Sequence, residues 1–366
     1  MYTEEASRTG TGTRERFVVR PTSERPAAVD LVPIPGRDDS RRQRRELTRG
    51  EAEAFGPLAG FIADGEVTDI FVNGMAGLWV DRGNGLEQDR SWRAPGERAL
   101  RELAVRIIAA GGRHIDEASP AVDVRIGDGI RAHAVLPPIS TSGTLLSIRA
   151  PRTMRITFEE LRTAGFFYPG ADEVVRRALT DRANLLITGA GGSGKTTLLG
   201  ALLGEAARDE RLVVIEDVAE LRIAHPHVVS LEARQANVEG AGEVPLARLV
   251  RESLRMRPDR LVLGECRGAE LRELLAALNT GHDGGAGTLH ANSLNDVPAR
   301  LEALGALADM SAGAIARQTV SAIDLVMHVE RHKGVRQLVD MGEFWLDDAG
   351  RLRITSVRSG TKLERA

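Results

Sequence analysis

Lysine is nearly missing from this chain. Of its 49 basic residues only Lys195, Lys333 and Lys362 are lysine, and the rest are arginine. Cysteine is rarer still, with Cys266 alone. One thiol excludes an internal disulfide framework and fits a reducing compartment. Aromatic residues make up 4% and the formal net charge is −3. Both argue against a single-strand nucleic-acid channel, which needs basic grooves and stacking rings, although a local basic patch stays open. No apolar run reaches the ~18 residues of a membrane span. The first charges are not followed by an apolar stretch of the secretory-signal kind. These absences point to the cytoplasm. What is present is ordinary: 42% hydrophobic and 28% charged residues over 366 positions, enough for a sizeable core in two or three domains.

Residues 1–50, rich in Arg, Glu, Ser, Thr, Gly and Pro, read as a disordered polar tail. Arg41, Arg42, Arg44 and Arg45 form a basic cluster there, a solvated charge run or a membrane-surface or partner contact. Residues 51–150 read as an α+β domain. Asp69 to Gly74 is a strand entering a turn, with Leu78 to Asp81 as its hairpin partner. Leu100, Leu103, Ala104, Ile107 and Ile108 share a helical face. Three short strands follow from Ala121, Ile130 and Leu145. Residues 151–160 read as a linker. Residues 161–366 change to apolar strands alternating with helices. Asn184–Thr188, Leu212–Glu216 and Leu261–Gly264 are buried-strand runs, with helices at 195–207, 245–256 and 268–279. This is a doubly wound α/β domain.

One of the three lysines falls in Gly189, Ala190, Gly191, Gly192, Ser193, Gly194, Lys195, Thr196, a match to G-x-x-x-x-G-K-[ST] with a strand before it and a helix after. Glycines let backbone N–H groups curl round phosphate, and the helix aims its positive end at the same anion. Lys195 supplies charge for the β and γ phosphates, and Thr196 a hydroxyl for Mg²⁺. A Gly-rich turn with an incidental lysine is the plainer alternative. No N-K-x-D string for guanine appears, and a whole domain precedes the loop, unlike nucleotide kinases.

Three stretches downstream carry further chemistry. A strand ends in Glu216 and Asp217, with Glu220 three residues on. Carboxylates at strand ends face the ligand crevice of an open α/β sheet, where they serve Mg²⁺-bound or attacking water, or else are surface charges. A second strand ends in Gly264 and Glu265. Glu265 fits a general base or a ligand of Mg²⁺ through water, or simply pairs with Arg267. A Gly-rich stretch holds His282 and His290, suited to phosphate or water, or structural. Zinc fits poorly, because the spacing is wrong and Cys266 is the sole thiolate.

In this order the motifs resemble the secretion ATPase superfamily of type II and type IV systems: a Walker A loop, an acidic "Asp box", a Walker B strand ending in Gly-Glu, and a "His box". Residues 254–265, 279–284 and 288–293, with 67–74 and 115–120 in the first domain, are similar to the CpaF-type branch, which drives tight-adherence and Flp pili. The resemblance spans about residues 60–345.

The resemblance implies a RecA-like P-loop ATPase domain with a smaller α+β N-terminal domain. ATP and Mg²⁺ are its cofactors. The subunits form a hexameric ring, cytoplasmic and peripheral at the inner membrane, working on inner-membrane platform proteins without binding nucleic acid. Gly189 to Thr197 would hold the triphosphate, Thr196 and Glu265 the metal. Glu216, Asp217 and Glu220 match the Asp box, and His282 and His290 the His box. Arg113, Arg125, Arg131 and Arg149 sit where the family's N-terminal domain offers cations to the nucleotide, without the resemblance selecting among them. Arg234, Arg251 and Arg257 are candidates for the γ-phosphate. Between the two candidate bases, Glu265 is expected to lead and Glu220 to assist.

Two departures stand out: Cys266 where a β-branched residue is common, and Gly285, Ala286 and Gly287 in place of Gly-Ser-Leu-Ser. A helicase or DNA-packaging motor is the rival activity, and a non-hydrolysing scaffold the rival class.

Overall fold

The computed structural model describes residues 44–83, 85–127, 129–150, 155–234 and 242–358. The tail expected over residues 1–43, with Arg41 and Arg42, lies outside the described residues.

Thr48 sets where the first helix begins. Its hydroxyl accepts the Glu51 N–H while Glu51 reaches back to the Thr48 N–H, so two orphan donors are satisfied reciprocally. This starts α1 (Arg49–Phe55), followed by α2 (Ala59–Ala63). Order begins before residue 51. Arg44 bridges Asp64, and the buried Arg45 donates its backbone N–H to Ala63 and its guanidinium to the Ile62 carbonyl. The expected edge at residue 50 therefore moves back to 44 among the described residues, because a charged side chain can be buried when backbone carbonyls receive it.

Next come β1 (Asp69–Asn73), β2 (Leu78–Asp81), β3 (Leu86–Asp89), α3 (Glu97–Ala110), β4 (Ala121–Ile126), β5 (Ile130–Val135) and β6 (Leu145–Arg149). They pair in the order β3-β2-β1-β6-β5-β4, antiparallel at every contact. Period-two alternation splits the sheet. Ile70, Val72, Val124, Ala132 and Ile148 pack with the apolar stripe of α3. The opposite face carries Asp69, Asp123, Arg125, Arg131, His133 and Arg149. The edge strand β3, Leu-Glu-Gln-Asp, lacks any apolar alternation and is mostly exposed, which hid it from the sequence.

The second unit starts with α4 (Phe158–Thr163), capped by Thr157 and Glu160 in the same reciprocal way. Phe158 is fully buried in this unit's core. The later part of the expected 151–160 linker thus belongs to the second unit, and residues 151–154 lie outside the described residues. Then follow α5 (Ala171–Thr180), β7 (Leu185–Gly189), α6 (Lys195–Gly204), β8 (Leu212–Glu216), β9 (Val228–Glu232), α7 (Leu246–Ser253), β10 (Arg260–Cys266), α8 (Glu270–Leu278), β11 (Ala286–His290), α9 (Val297–Leu307), α10 (Ala312–Ala322), β12 (Leu325–His332), β13 (Val335–Leu346) and β14 (Leu352–Ser356).

Their order is β14-β13-β12-β7-β11-β10-β8-β9. From β12 to β9 neighbours run parallel, while β13 and β14 add antiparallel. Leu185, Leu186 and Ile187 of β7 are at most 2% exposed. Helices cover both sides of the sheet, so its central strands read as unbroken apolar runs. Burying each such side chain contributes about 1.5–3 kcal/mol.

Candidate functional site

The parallel strands end on one edge, where open α/β sheets bind ligands. Register puts Gly189 beside His290, Leu289 beside Cys266, and Leu263 beside Ile215. The P-loop, Glu265, the start of the Asp box and His290 therefore gather from four different strands.

Gly189 must be glycine because a Cβ there would lie 2.2 Å from the Val329 carbonyl oxygen and 2.6 Å from Ser193 Oγ. Thr188, just before it, hydrogen-bonds His328 Nδ1 at 2.8 Å inside the sheet. Ala190, Gly191 and Gly192 are exposed, while Ser193 and Lys195 are buried and Gly194, Thr196 and Thr197 half-buried. Gly194 sits at φ 107° and opens α6 with no side-chain cap, leaving first-turn N–H groups to an anion. Lys195 Nζ folds onto its own loop, donating to the Gly189 and Ala190 carbonyls at 3.0 and 2.9 Å. Burial lowers its pKa to about 8, against the pull of Glu265 and with help from Arg267 and Arg149.

Glu265 is gripped on both oxygens. His290 Nε2 lies 2.9 Å from Oε1, and Arg267 donates to Oε2 at 2.7 Å. Burial works against the charge, but Arg267 first, then His290 and Lys195, hold the carboxyl below its ordinary range. Arg267 also reaches Asp217 at 3.4 Å. The plainer alternative, a Glu265–Arg267 pair, is thus present.

Glu216, expected among the catalytic residues, is buried and spends one oxygen on its own loop. It is 5% exposed, and Oε1 accepts the N–H groups of Glu220 and Leu221, each at 3.0 Å. Burial raises its pKa despite those two donors. Glu216 anchors the Asp-box loop, and Gly264 makes room for it. A Cβ on Gly264 would come within 2.6 Å of Glu216 Cγ.

The polar face of the N-terminal sheet meets this edge. Arg131 pairs with Glu220 at 2.9 Å and Arg125 with Glu232, while Arg331 donates to the Gly83 carbonyl at 3.0 Å. Arg149 is close enough to Lys195 to lower its pKa. Arg113 is exposed and donates to the Asp123 carbonyl at 3.3 Å, within its own domain.

Other expected residues make contacts outside this cluster. His282 precedes β11, whereas His290 ends it, so one strand length separates them. His282 Nδ1 instead contacts the Ala277 carbonyl at 3.2 Å, at the end of α8. Arg251 pairs with Glu273 of α8 at 2.8 Å. Arg257 is exposed at φ 53° before β10, on the sheet edge opposite Glu265. Arg234 donates to the Gly242 carbonyl at 2.6 Å.

The expected metal residues, Thr196 and Glu265, build no cage. Among the described residues no group of three or more His, Cys, Asp or Glu is placed to hold a metal. That donor set suits Mg²⁺ arriving with a nucleotide, since Mg²⁺ takes one or two carboxylates plus phosphates and water.

The sequence profile of the family described as Type II/IV secretion system protein matches residues 51–345. The chain belongs to this family. A putative conjugal transfer protein of Mycobacterium tuberculosis is 49% identical over 286 residues, covering 76% of this chain and 81% of that protein. The conjugal transfer protein TrbB of Rhizobium radiobacter is 32% identical over 79% of this chain and 88% of its own length. The X-ray structure of the Legionella pneumophila ATPase DotB superposes with TM-score 0.54 at 19% identity, covering 87% of this chain and 84% of that one. That likeness speaks for the α/β fold. Both of these relatives carry the name of a conjugal transfer protein.

Arg267 is the site residue whose place the sequence concealed. A cation two residues after the strand-end glutamate was visible, but its reach to Asp217 requires β8 and β10 to be neighbours.

Proposed function

We propose that this secretion family member is an ATP-hydrolysing, Mg²⁺-dependent motor for macromolecular export, and that the strand-edge constellation is its catalytic site. The observation that carries this reading is the convergence of Lys195, Glu265, His290 and Arg267 on the edge faced by Arg131 and Arg149. Gly189 to Thr197 cradle the triphosphate with backbone N–H groups, and Lys195 leaves its loop carbonyls for the phosphates. Mg²⁺, when bound, neutralises charge developing on the phosphates. Thr196 and Glu265 would hold it. Glu265 orients the attacking water, with His290 fixing its carboxylate. Glu220 assists once Arg131 turns to the nucleotide, and Asp217 and Glu216 shape the loop.

The contacts of Arg234, Arg251 and His282 are with Gly242, Glu273 and Ala277 and not with the P-loop of their own chain, and Arg257 precedes β10 at its far end. Their place at phosphate, in this reading, is in a neighbouring subunit of a hexameric ring. The ring works in the cytoplasm at the inner membrane, moving the N-terminal domain against the α/β core and pushing on platform proteins. No described helix is long and apolar enough to cross a membrane, which agrees with attachment through partners. Conjugal transfer or type IV secretion is the favoured setting, from the relatives' names, with tight-adherence pilus assembly as the narrower one. Deleting the gene and scoring DNA transfer against surface pili separates them. Turnover measured with and without DNA tests the motor class. Equal rates are expected, and strong stimulation by DNA points to a nucleic-acid translocase.

A further inference from the structure

We propose that Arg267 is the resident counter-ion of the nucleotide-free site, a positioning residue that holds Glu265 and Asp217 together and keeps divalent cations off them. The guanidinium spans two carboxylates from different strands, Glu265 at 2.7 Å and Asp217 at 3.4 Å. A planar fork can serve both at once, whereas an ammonium is a point charge.

The anchor and the head of this residue behave differently. The Arg267 and Gly268 backbone N–H groups are both fixed by Glu270 Oε1, at 2.5 and 2.7 Å. Glu270 is itself buried, while the Arg267 side chain is 54% exposed. The backbone is a fixed pivot and the charged head is free to swing toward solvent. Without that head, Glu265 and Asp217 would face each other's charge across the gap, and a small cation would be their natural partner. With it, one of the two carboxylate charges is offset, and a cation gains less unless it arrives with phosphates that supply further ligands. Arg267 thereby ties metal entry to nucleotide entry.

This inference rests on the proposed nucleotide site, so the two are tested on the same samples by separate readouts. Mn²⁺ binding to the nucleotide-free full chain is titrated by electron paramagnetic resonance, and Mg·ATP binding by calorimetry. Arg267→Gln is expected to gain one Mn²⁺ per chain, tightened roughly fivefold over the parent, the scale of a half-exposed charge pair. A Glu265→Gln/Arg267→Gln double variant returns to the parental affinity. Arg267→Lys, which keeps the charge but cannot span both carboxylates, gains about threefold, and it serves if the glutamine variant does not fold. Parental Mn²⁺ affinity in folded Arg267→Gln or Arg267→Lys overturns the proposal, as does a gain that survives the double change. A parent that fails to bind Mg·ATP overturns the nucleotide site instead, whatever the Mn²⁺ titration gives.

Discussion

Gly264→Ala should unfasten the Asp box. Gly264 is not at positive φ, so its backbone accepts alanine and the penalty is one of space. The new Cβ would lie 2.6 Å from Glu216 Cγ, 3.1 Å from Oε1 and 3.3 Å from Cδ. Cγ is mid-chain on a side chain only 5% exposed residue-wide, so it cannot swing aside as a surface carboxylate would. Overpacking of this kind costs about 1–3 kcal/mol. Any shift of Glu216 also weakens its two hydrogen bonds from the Glu220 and Leu221 N–H groups, each worth about 1.5–3 kcal/mol when an ionised group is involved. Partial relaxation leaves a net loss of about 2–4 kcal/mol, or roughly 5–15 °C in the melting of the second domain.

A double-mutant cycle supplies the decisive assay. On a Glu216→Ala background the clash partner is gone, and the Gly264→Ala step should cost within about 0.5 kcal/mol of nothing. Amide exchange at Glu220 and Leu221 should speed up in Gly264→Ala. An equal penalty on both backgrounds, or none on the parent, would refute the claim that Gly264 near the end of β10 makes room for Glu216.

Glu265→Gln should bind ATP yet lower single-turnover hydrolysis about 10²-fold or more, while Glu220→Gln loses less; a dead Glu220→Gln beside an active Glu265→Gln reverses the roles. Lys195 predicts an alkaline limb. Its pKa is held at about 8, so the free protein loses the phosphate-attracting charge above that pH. Then kcat/KM for ATP should fall toward tenfold per pH step, and a flat profile to pH 9.5 contradicts it. The sign for stability is opposite. Between about 8 and the ordinary 10.5 the unfolded chain binds more protons, so this group's contribution rises with pH. Light scattering with a non-hydrolysable ATP analogue should detect an assembly near six subunits, and a strict monomer with full activity would exclude the ring.

The P-loop was legible because its chemistry is local: strand, glycines, Lys195 and helix follow one another in a few residues. The same holds for β7, β8 and β10, whose unbroken apolar runs mark strands buried on both faces. Long-range pairing was not legible. Adjacent Glu216 and Asp217 look alike in sequence, yet one is buried as a loop anchor and the other meets Arg267. His282 and His290 look like a pair until β11 is seen to separate them. Arg131 was recognised as a cation facing the site, but its partner Glu220 is set by the docking of two domains. Edge strand β3, Leu-Glu-Gln-Asp, carries no run that separates it from a loop.

ATP hydrolysis by the purified full chain, parent against Lys195→Ala, tests the central claim most directly. Lys195 is the lysine of the P-loop, and its ammonium already rests on the loop it would leave for phosphate. The parent should turn over Mg·ATP, and Lys195→Ala, with an unchanged far-ultraviolet circular dichroism spectrum, should lose tight binding or turnover. A folded Lys195→Ala protein hydrolysing ATP at the parental rate would contradict the assignment of this edge as the nucleotide site.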